Sequence, residues 1–119
     1  DAGASWLLPR LVGTARALEA LMLSERISSQ KALDWGMIHK VVPDADLLDE
    51  AKALARRLAA GPTLAYGLIR KAVRAGQGSS YDEALEREVE AQRISGNSAD
   101  CAEAVSAFLE KRAPQFRGE

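Results

Sequence analysis

The sequence of 119 residues contains very few side chains that could crosslink it or bind a metal. It has a single cysteine, Cys101, and a single histidine, His39. One cysteine cannot form an internal disulfide, and these two residues fall short of the four ligands of a structural zinc site. Such sparing use of cysteine favours a reducing, cytoplasmic compartment.

The chain also lacks an excess of either charge and any long apolar run. Sixteen basic and seventeen acidic residues give a net charge of -1, so no global basic surface for nucleic acid or an anionic membrane is expected. The longest apolar stretches, such as residues 21–23, are far shorter than the ~20 residues that cross a bilayer. We therefore expect a soluble protein with neither nucleic acid nor a membrane as partner.

Aromatic residues are scarce at 5% of the chain, although hydrophobic residues reach 47%. Alanine, leucine and valine must then fill the interior, which is typical of closely packed helices and not of a β-sandwich. The length suits one domain with a modest core. No repeat or low-complexity tract marks an internal boundary, so the sequence predicts one mostly α-helical part over residues 1–119.

Capping residues and apolar periodicity predict seven helices. The first covers residues 6–12 and tolerates Pro9 only in its opening turn. Thr14 is predicted to cap the second, and the third begins at Ser28 and ends at Gly36. The other four are predicted to begin near Asp44 or Asp46, at Pro62, at Ser80, and at Asn97 or Ser98.

Residues 37–42 are the one run rich in β-forming side chains, and Pro43 closes it. We predict a short strand here, at the edge of a sheet that lies mostly elsewhere, because one strand cannot form a sheet. The chain opens on Asp1 and a glycine-containing turn, which should follow a strand or loop that directs the carboxylate into a cleft. We therefore expect these residues to be the C-terminal part of a larger enzyme.

Short motifs follow one another in order along the whole chain. They are Arg16-Ala17 before Leu21, Ile27-Ser28 with Ala32, Trp35-Gly36, Ile38 with Val41-Val42-Pro43, and Ala107-Phe-Leu-Glu-Lys-Arg112. In this order and spacing they resemble the C-terminal half of the crotonase superfamily, the enoyl-CoA hydratases and isomerases. The opening Asp1-Ala-Gly-Ala-Ser-Trp-Leu-Leu-Pro-Arg10, with Pro62-Thr63, Ala99-Asp100 and Pro114-Gln-Phe-Arg-Gly118, looks most similar to the isomerases that act on the ring epoxide of phenylacetyl-CoA.

The resemblance implies the helical C-terminal subdomain of a ββα spiral fold, whose core would be built by residues outside this chain. It also implies an acyl-CoA substrate, with coenzyme A present only as part of the thioester and no covalently bound cofactor. Such enzymes stabilise an enolate with two backbone N–H groups and move protons with carboxylates. The family usually forms a trimer or a dimer of trimers.

Asp1 is the catalytic candidate that the resemblance implies. Hydratases of the family usually carry glycine at this position, whereas several isomerases and a dehalogenase carry an aspartate that acts on the substrate. Asp1 is thus expected to act as general base or acid near the acyl group. The alternative is a carboxylate that caps the N-terminus of the first helix. Neither the oxyanion-hole donors nor a family glutamate can be assigned to residues of this chain, so the isolated chain is expected to be inactive.

Phe108 and Lys111 match the positions at which the last helix of the family reaches the CoA of a neighbouring subunit. The resemblance implies that the phenyl ring lies near adenine or pantetheine and that the ammonium meets a phosphate. The alternatives are core packing of Phe108 with Val105 and Leu109, and a solvated Lys111 at a helix C-terminus.

Other candidate residues favour structural roles. Trp6 either lines an aromatic acyl pocket or packs, and packing is the more common role of a helical tryptophan. His39 is expected to face solvent, and Cys101 has no nearby cation to activate it. A second hypothesis for the whole chain is a helical assembly module without chemistry. Under both hypotheses we expect exposed apolar patches that associate.

Overall fold

The structure, a computed structural model, describes residues 2–119, and these form seven α-helices, one short 3-10 helix and no strand. The mostly α-helical fold class is confirmed. None of these helices combines the length and the apolar character needed to cross a membrane. Their bounds are α1 Ala4–Val12, α2 Thr14–Leu23, α3 Ser29–Asp34, α4 Leu47–Ala59, α5 Thr63–Gly76, α6 Tyr81–Gly96 and α7 Ala99–Glu110, with the 3-10 helix at Asp44–Asp46.

The contacts within the chain divide it into two compact units. In unit 1, residues 1–47, α1 packs on α2. In unit 2, residues 48–119, α5 packs on α6 and α6 packs on α7. The assignment of residues 1–119 to the helical part of one larger domain stays a prediction.

Several helix ends are fixed by local caps that the sequence predicts. Ser28, Ser80 and Ser98 each accept on Oγ a hydrogen bond from the backbone N–H three residues later. Gly36 adopts the left-handed conformation expected after α3, with φ 76°. These starts and this stop depend only on neighbouring residues, and all four predictions are confirmed.

The predicted strand at residues 37–42 is wrong. This segment is irregular and runs from the turn at Gly36 to Pro43. A strand is stable only when a neighbouring strand accepts and donates its backbone hydrogen bonds, and residues 2–119 supply no such neighbour. The β-forming side chains therefore do not determine the local structure here.

The first two helices begin differently from the prediction. Gly3, in the left-handed conformation with φ 82°, offers its carbonyl to the N–H groups of Trp6 and Leu7, so α1 begins at Ala4. Pro9 consequently lies beyond the opening turn, where its missing N–H leaves one intrahelical bond unmade. Gly13 takes the capping position of α2 that was predicted for Thr14, which is the first helical residue instead.

The interior is small for a chain of this length. Among residues 2–119, only Ala17 and Ala107 are buried apolar residues, each 1% exposed, and Asp100 is the buried polar residue at 4%. The apolar stripe of α4 is largely open, as are the large apolar residues of α7. Exposed apolar patches are present as expected, and their association stays a prediction. Their most exposed members in unit 2 are Leu48, Ile69, Val73, Tyr81, Val89, Val105, Phe108 and Leu109.

The capping box at the start of α6 allows a direct test of local stabilisation. Ser80 Oγ accepts from the Glu83 N–H at 3.3 Å, and the Glu83 carboxylate accepts from the Ser80 N–H at 2.9 Å. We predict that Ser80→Ala lowers the free energy of unfolding by about 1 kcal/mol because a helix N–H loses its acceptor. Ser79→Ala, one residue before the cap, should change it by less than about 0.5 kcal/mol. Chemical denaturation measures both, and equal effects of the two variants would contradict the prediction.

Candidate functional site

The C-terminal end of α7 and the tail after it bring together the two predicted cofactor-binding residues and a network of charges. Ser98 caps α7, Asp100 lies in the first turn, and the helix ends at Glu110. The tail, residues 113–119, turns back along the helix, because the Asp100 N–H donates to the Glu119 carbonyl at 2.9 Å. Phe108 and Lys111 therefore lie where α7 ends and the tail begins.

Lys111 ends α7 in a conformation that favours glycine. Its backbone is left-handed, with φ 56° and ψ 36°. Its N–H donates to the Phe108 carbonyl at 3.3 Å, and the Arg112 N–H donates to the Ala107 carbonyl at 3.0 Å. This pair of bonds is the Schellman motif, which satisfies the last carbonyls of a helix.

Phe108 and Lys111 are both exposed. The Phe108 side chain is 82% exposed, so it is not buried in a core with Val105 and Leu109 among residues 2–119. The Lys111 ammonium has no ion pair or hydrogen bond with any of residues 2–119. An exposed apolar ring and an unpaired cation are therefore both found at the end of α7.

Arg112, next to Lys111, is held by two carboxylates. Its Nη1 and Nη2 donate to the two oxygens of Glu103 at 2.5 and 2.9 Å, and its Nε donates to Glu110 at 2.6 Å. Glu103 also accepts from the Gln115 N–H at 2.8 Å. The other oxygen of Glu110 accepts from Ser106 Oγ at 2.9 Å. The guanidinium is thus engaged by the chain itself, in contrast to the Lys111 ammonium.

These bonds favour the charged forms of the network. The Arg112 side chain, followed by the Gln115 N–H, lowers the pKa of Glu103 from 4.5 to about 2. Hydrogen bonds from Arg112 and Ser106 lower the pKa of Glu110. The same carboxylates, Glu103 first, raise the pKa of Arg112 above its ordinary value. The network therefore stays ionised at neutral pH.

Glu103 is expected to make unit 2 sensitive to acid. Its folded pKa of about 2 lies below its ordinary value of 4.5, so its contribution is complete above pH 4.5 and is lost as the pH falls through about 2. We predict that Glu103→Gln lowers stability at neutral pH and flattens its fall in this acid range. Urea unfolding at several pH values measures this. Glu90→Gln, which breaks the more exposed pair with Arg93, is the control; an equal change in both variants would contradict the prediction.

Asp100 fastens the tail to the start of α7. Its two carboxylate oxygens accept separately from the N–H groups of Arg117, at 2.6 Å, and Gly118, at 2.9 Å. Gly118 has φ 82° and lies so close to Thr63 at the start of α5 that a Cβ at this position would collide with Thr63 Oγ1. A glycine is therefore required where the tail passes α5.

A second feature of unit 2 is an open, mainly apolar groove of about 550 Å³ along α5 and α6. Small side chains on both helices form much of its wall, and charged or polar groups are few. The residues that line it include Ala65, Leu68, Ala72, Ala84, Ala91 and Ser95. The basic side chains of α5, Arg70, Lys71 and Arg74, are exposed and are not part of this lining.

The remaining candidates do not join the site at α7. Asp1 lies outside the described residues, so its catalytic role stays a prediction. Trp6 is 47% exposed, and the Arg10 guanidinium carbon lies 3.9 Å from its ring centre. His39 is exposed and Cys101 is half-buried. Among residues 2–119 there is no cluster of three potential metal ligands.

The residues that hold the site together are not evident from the sequence. Glu103, Arg112 and Gln115 meet across the end of a helix, where the period of 3.6 residues no longer determines which side chains are neighbours. Asp100 follows a serine cap, a position that indicates only a favourable interaction with the helix dipole. The sequence shows only an acidic residue near a helix start, Asp100, and a polar tail at residues 113–119. Neither feature identifies the bonds between them.

Comparison with known proteins identifies relatives along the whole chain. The family model for enoyl-CoA hydratase/isomerase matches residues 1–119. The 1,2-epoxyphenylacetyl-CoA isomerase of Escherichia coli K12 is 47% identical over 119 residues, which are all of this chain and 45% of that protein. A probable enoyl-CoA hydratase of Rhodobacter capsulatus is 42% identical over 99% of this chain and 46% of its own length.

A solved structure agrees with the sequence relatives. A putative enoyl-CoA hydratase from Streptomyces coelicolor A3(2) superposes with a TM-score of 0.96 at 34% identity, covering all of this chain and 43% of that one. The chain thus spans less than half the length of the relatives it matches. The expected resemblance, including the ring-epoxide isomerase group, is confirmed by these matches. We conclude that the chain belongs to the enoyl-CoA hydratase/isomerase family.

Proposed function

We propose that this chain is the helical C-terminal part of an enzyme that converts acyl-CoA thioesters through a stabilised enolate, by isomerase-type chemistry. The observation that carries the proposal is the 47% identity, over all 119 residues, with a 1,2-epoxyphenylacetyl-CoA isomerase. The aspartate at position 1 also supports it, because a carboxylate there provides a general base or acid near the acyl group. No cofactor beyond the CoA of the substrate is needed for this chemistry.

Asp1 is proposed to take a proton from one carbon of the acyl group and return it to another atom of the same substrate. The electron pair left behind is held as an enolate by an oxyanion hole that residues outside this chain supply. Such a reaction rearranges the substrate without adding or removing atoms. Hydration, in contrast, adds one water across the carbon–carbon double bond of an enoyl-CoA.

Phe108 and Lys111 are proposed to contact the nucleotide part of CoA in a neighbouring subunit. The exposed ring offers an apolar face to adenine or pantetheine, and the unpaired ammonium offers a charge to a phosphate. Assembly into a trimer or a dimer of trimers is also proposed, because the family resemblance implies it; the open apolar faces of α4, α5 and α7 are surfaces that another subunit or the rest of the protein would cover. The same faces are the observation that favours the second candidate, an assembly module without chemistry.

The mass of the product tests the proposal. The whole protein would be incubated separately with a 2-enoyl-CoA and with the ring epoxide of phenylacetyl-CoA, and the products would be separated by chromatography before their masses are measured. We expect conversion of the epoxide into a new compound of unchanged mass. A main product heavier by one water from the enoyl-CoA would replace the isomerase assignment with a hydratase. No turnover of either thioester would favour the assembly module, and the isolated 119-residue chain should turn over neither.

A further inference from the structure

Two Schellman motifs among residues 2–119 differ in the residue that takes the left-handed position. After α3 this residue is Gly36, with bonds from Gly36 to Leu33 and from Met37 to Ala32, both at 2.9 Å. After α7 the corresponding residue is Lys111, with φ 56°. Glycine adopts this conformation without a steric penalty, whereas a residue with a Cβ does not. Lys111 is therefore less favourable in its Schellman motif than Gly36 is in the motif after α3.

The residues around Lys111 hold it in this conformation from the C-terminal side. Glu103 binds the Arg112 guanidinium through both oxygens and also accepts the Gln115 N–H. Because Arg112 directly follows Lys111, these bonds fix the peptide unit on which the left-handed turn depends. A strained residue persists when its surroundings determine its conformation in this way, and such residues are common at functional sites.

The same bonds also separate the roles of two adjacent cations. The Arg112 charge is compensated by Glu103 and Glu110, and a third ligand would have to compete with them. Lys111 has no partner among residues 2–119 and is exposed. Of these two adjacent cations, only Lys111 is therefore available to an external anion.

We propose that Glu103, acting through Arg112 and the Gln115 N–H, is a positioning residue that holds Lys111 where its ammonium binds a phosphate of the CoA nucleotide. This inference rests on the proposed function. Glu103 itself touches no substrate. The strain at Lys111 is then explained by binding, because glycine in its place would fit the turn but would carry no charge.

The test uses the whole protein and two substrates that differ only in the nucleotide. One is an acyl-CoA that the protein turns over, and the other is the matching acyl-pantetheine, which lacks the nucleotide phosphates. We expect Glu103→Gln to raise KM for the acyl-CoA about threefold to tenfold with kcat unchanged, and to leave KM for the acyl-pantetheine unchanged. Glu90→Gln, which breaks a pair of the same chemistry on α6, should change neither value.

Lys111→Gly distinguishes the contact of the Lys111 ammonium with a phosphate from the effect of this residue on the stability of the turn. It should raise the KM for acyl-CoA at least as much as Glu103→Gln, while the melting temperature rises by about 2–4 °C because the left-handed strain is relieved. Lys111→Arg, which keeps the charge, should restore most of the affinity.

Each contrary result identifies what fails. A rise in KM for both substrates in Glu103→Gln would mean general structural damage and would overturn the positioning role. A higher KM for acyl-CoA in Lys111→Gly but not in Glu103→Gln would support the phosphate contact of Lys111 and would overturn the positioning role of Glu103. An unchanged KM in both variants would overturn the contact itself. Failure of the unaltered protein to turn over any CoA thioester would instead reject the proposed function.

Discussion

Replacing Asp100 by alanine is expected to release the tail and to lower the free energy of unfolding by about 3 kcal/mol. The carboxylate is 4% exposed and accepts two backbone N–H groups on separate oxygens. Hydrogen bonds to a charged group contribute about 1.5–3 kcal/mol each, and the two N–H groups would be left without this partner. The change should therefore exceed that of a surface substitution several-fold.

Hydrogen exchange locates the effect. In Asp100→Ala the amides of Arg117 and Gly118 should exchange about a hundredfold faster, because roughly 2.7 kcal/mol corresponds to that factor. Asp100→Asn should have an intermediate effect, because its single carbonyl oxygen serves one N–H while its amide group faces the other donor.

Asp82→Ala is the matched control. Asp82 occupies the same position in α6 that Asp100 occupies in α7, the second residue after a serine cap, but it is exposed. Both residues interact with the helix dipole, so the difference between the two variants isolates the hold on the tail. Equal losses of stability in the two variants would show that the tail is not held by Asp100.

Replacing Asp1 by asparagine is expected to have the largest effect on activity. If the carboxylate moves the substrate proton, Asp1→Asn removes the basic group and keeps its shape. General acid or base catalysis contributes about 10²–10⁴ in rate, so kcat of the whole protein should fall by that factor. The KM should change little, because the nucleotide is proposed to be bound elsewhere.

A helix-capping role of Asp1 would give a different result. Asparagine caps helices nearly as well as aspartate, so Asp1→Asn would then leave kcat within about twofold. Asp82→Asn is the control for removal of a carboxylate near a helix start. A fall in kcat that is equal in both variants would mean that neither acts on the substrate.

Interactions between neighbouring residues allowed most of the helix ends to be predicted. The errors occur where the local structure depends on residues that are distant in the sequence or on an unexpected cap. Ser28, Ser80 and Ser98 bond to N–H groups three residues away, which the sequence alone determines. The run at residues 37–42 has β-forming side chains, but a strand depends on a neighbour that residues 2–119 do not contain. Pro9 was misplaced because Gly3, and not a polar cap, begins α1.

In the candidate site, too, some residues could be predicted from the sequence and others could not. Phe108 and Lys111 were identified by resemblance, and the structure adds that both are exposed and that Lys111 is left-handed. Glu103 and Arg112 could not be paired from the sequence, because a left-handed residue between α7 and Arg112 redirects the chain. The Asp100 bonds were missed for a similar reason, since the tail has no periodic pattern that indicates its path.

The division into two units also separates the aromatic chromophores of this chain. Trp6 and Trp35 belong to residues 1–47, whereas Tyr66 and Tyr81 belong to residues 48–119. Cations lie over both indoles, with Arg10 at 3.9 Å from Trp6 and Lys31 at 4.5 Å from Trp35. Indole emission from this chain therefore reports on the first unit alone. The phenol signal of the second unit, once it is separated from the overlapping indole band by second-derivative absorbance, complements it, so the unfolding of each unit can be followed without a label.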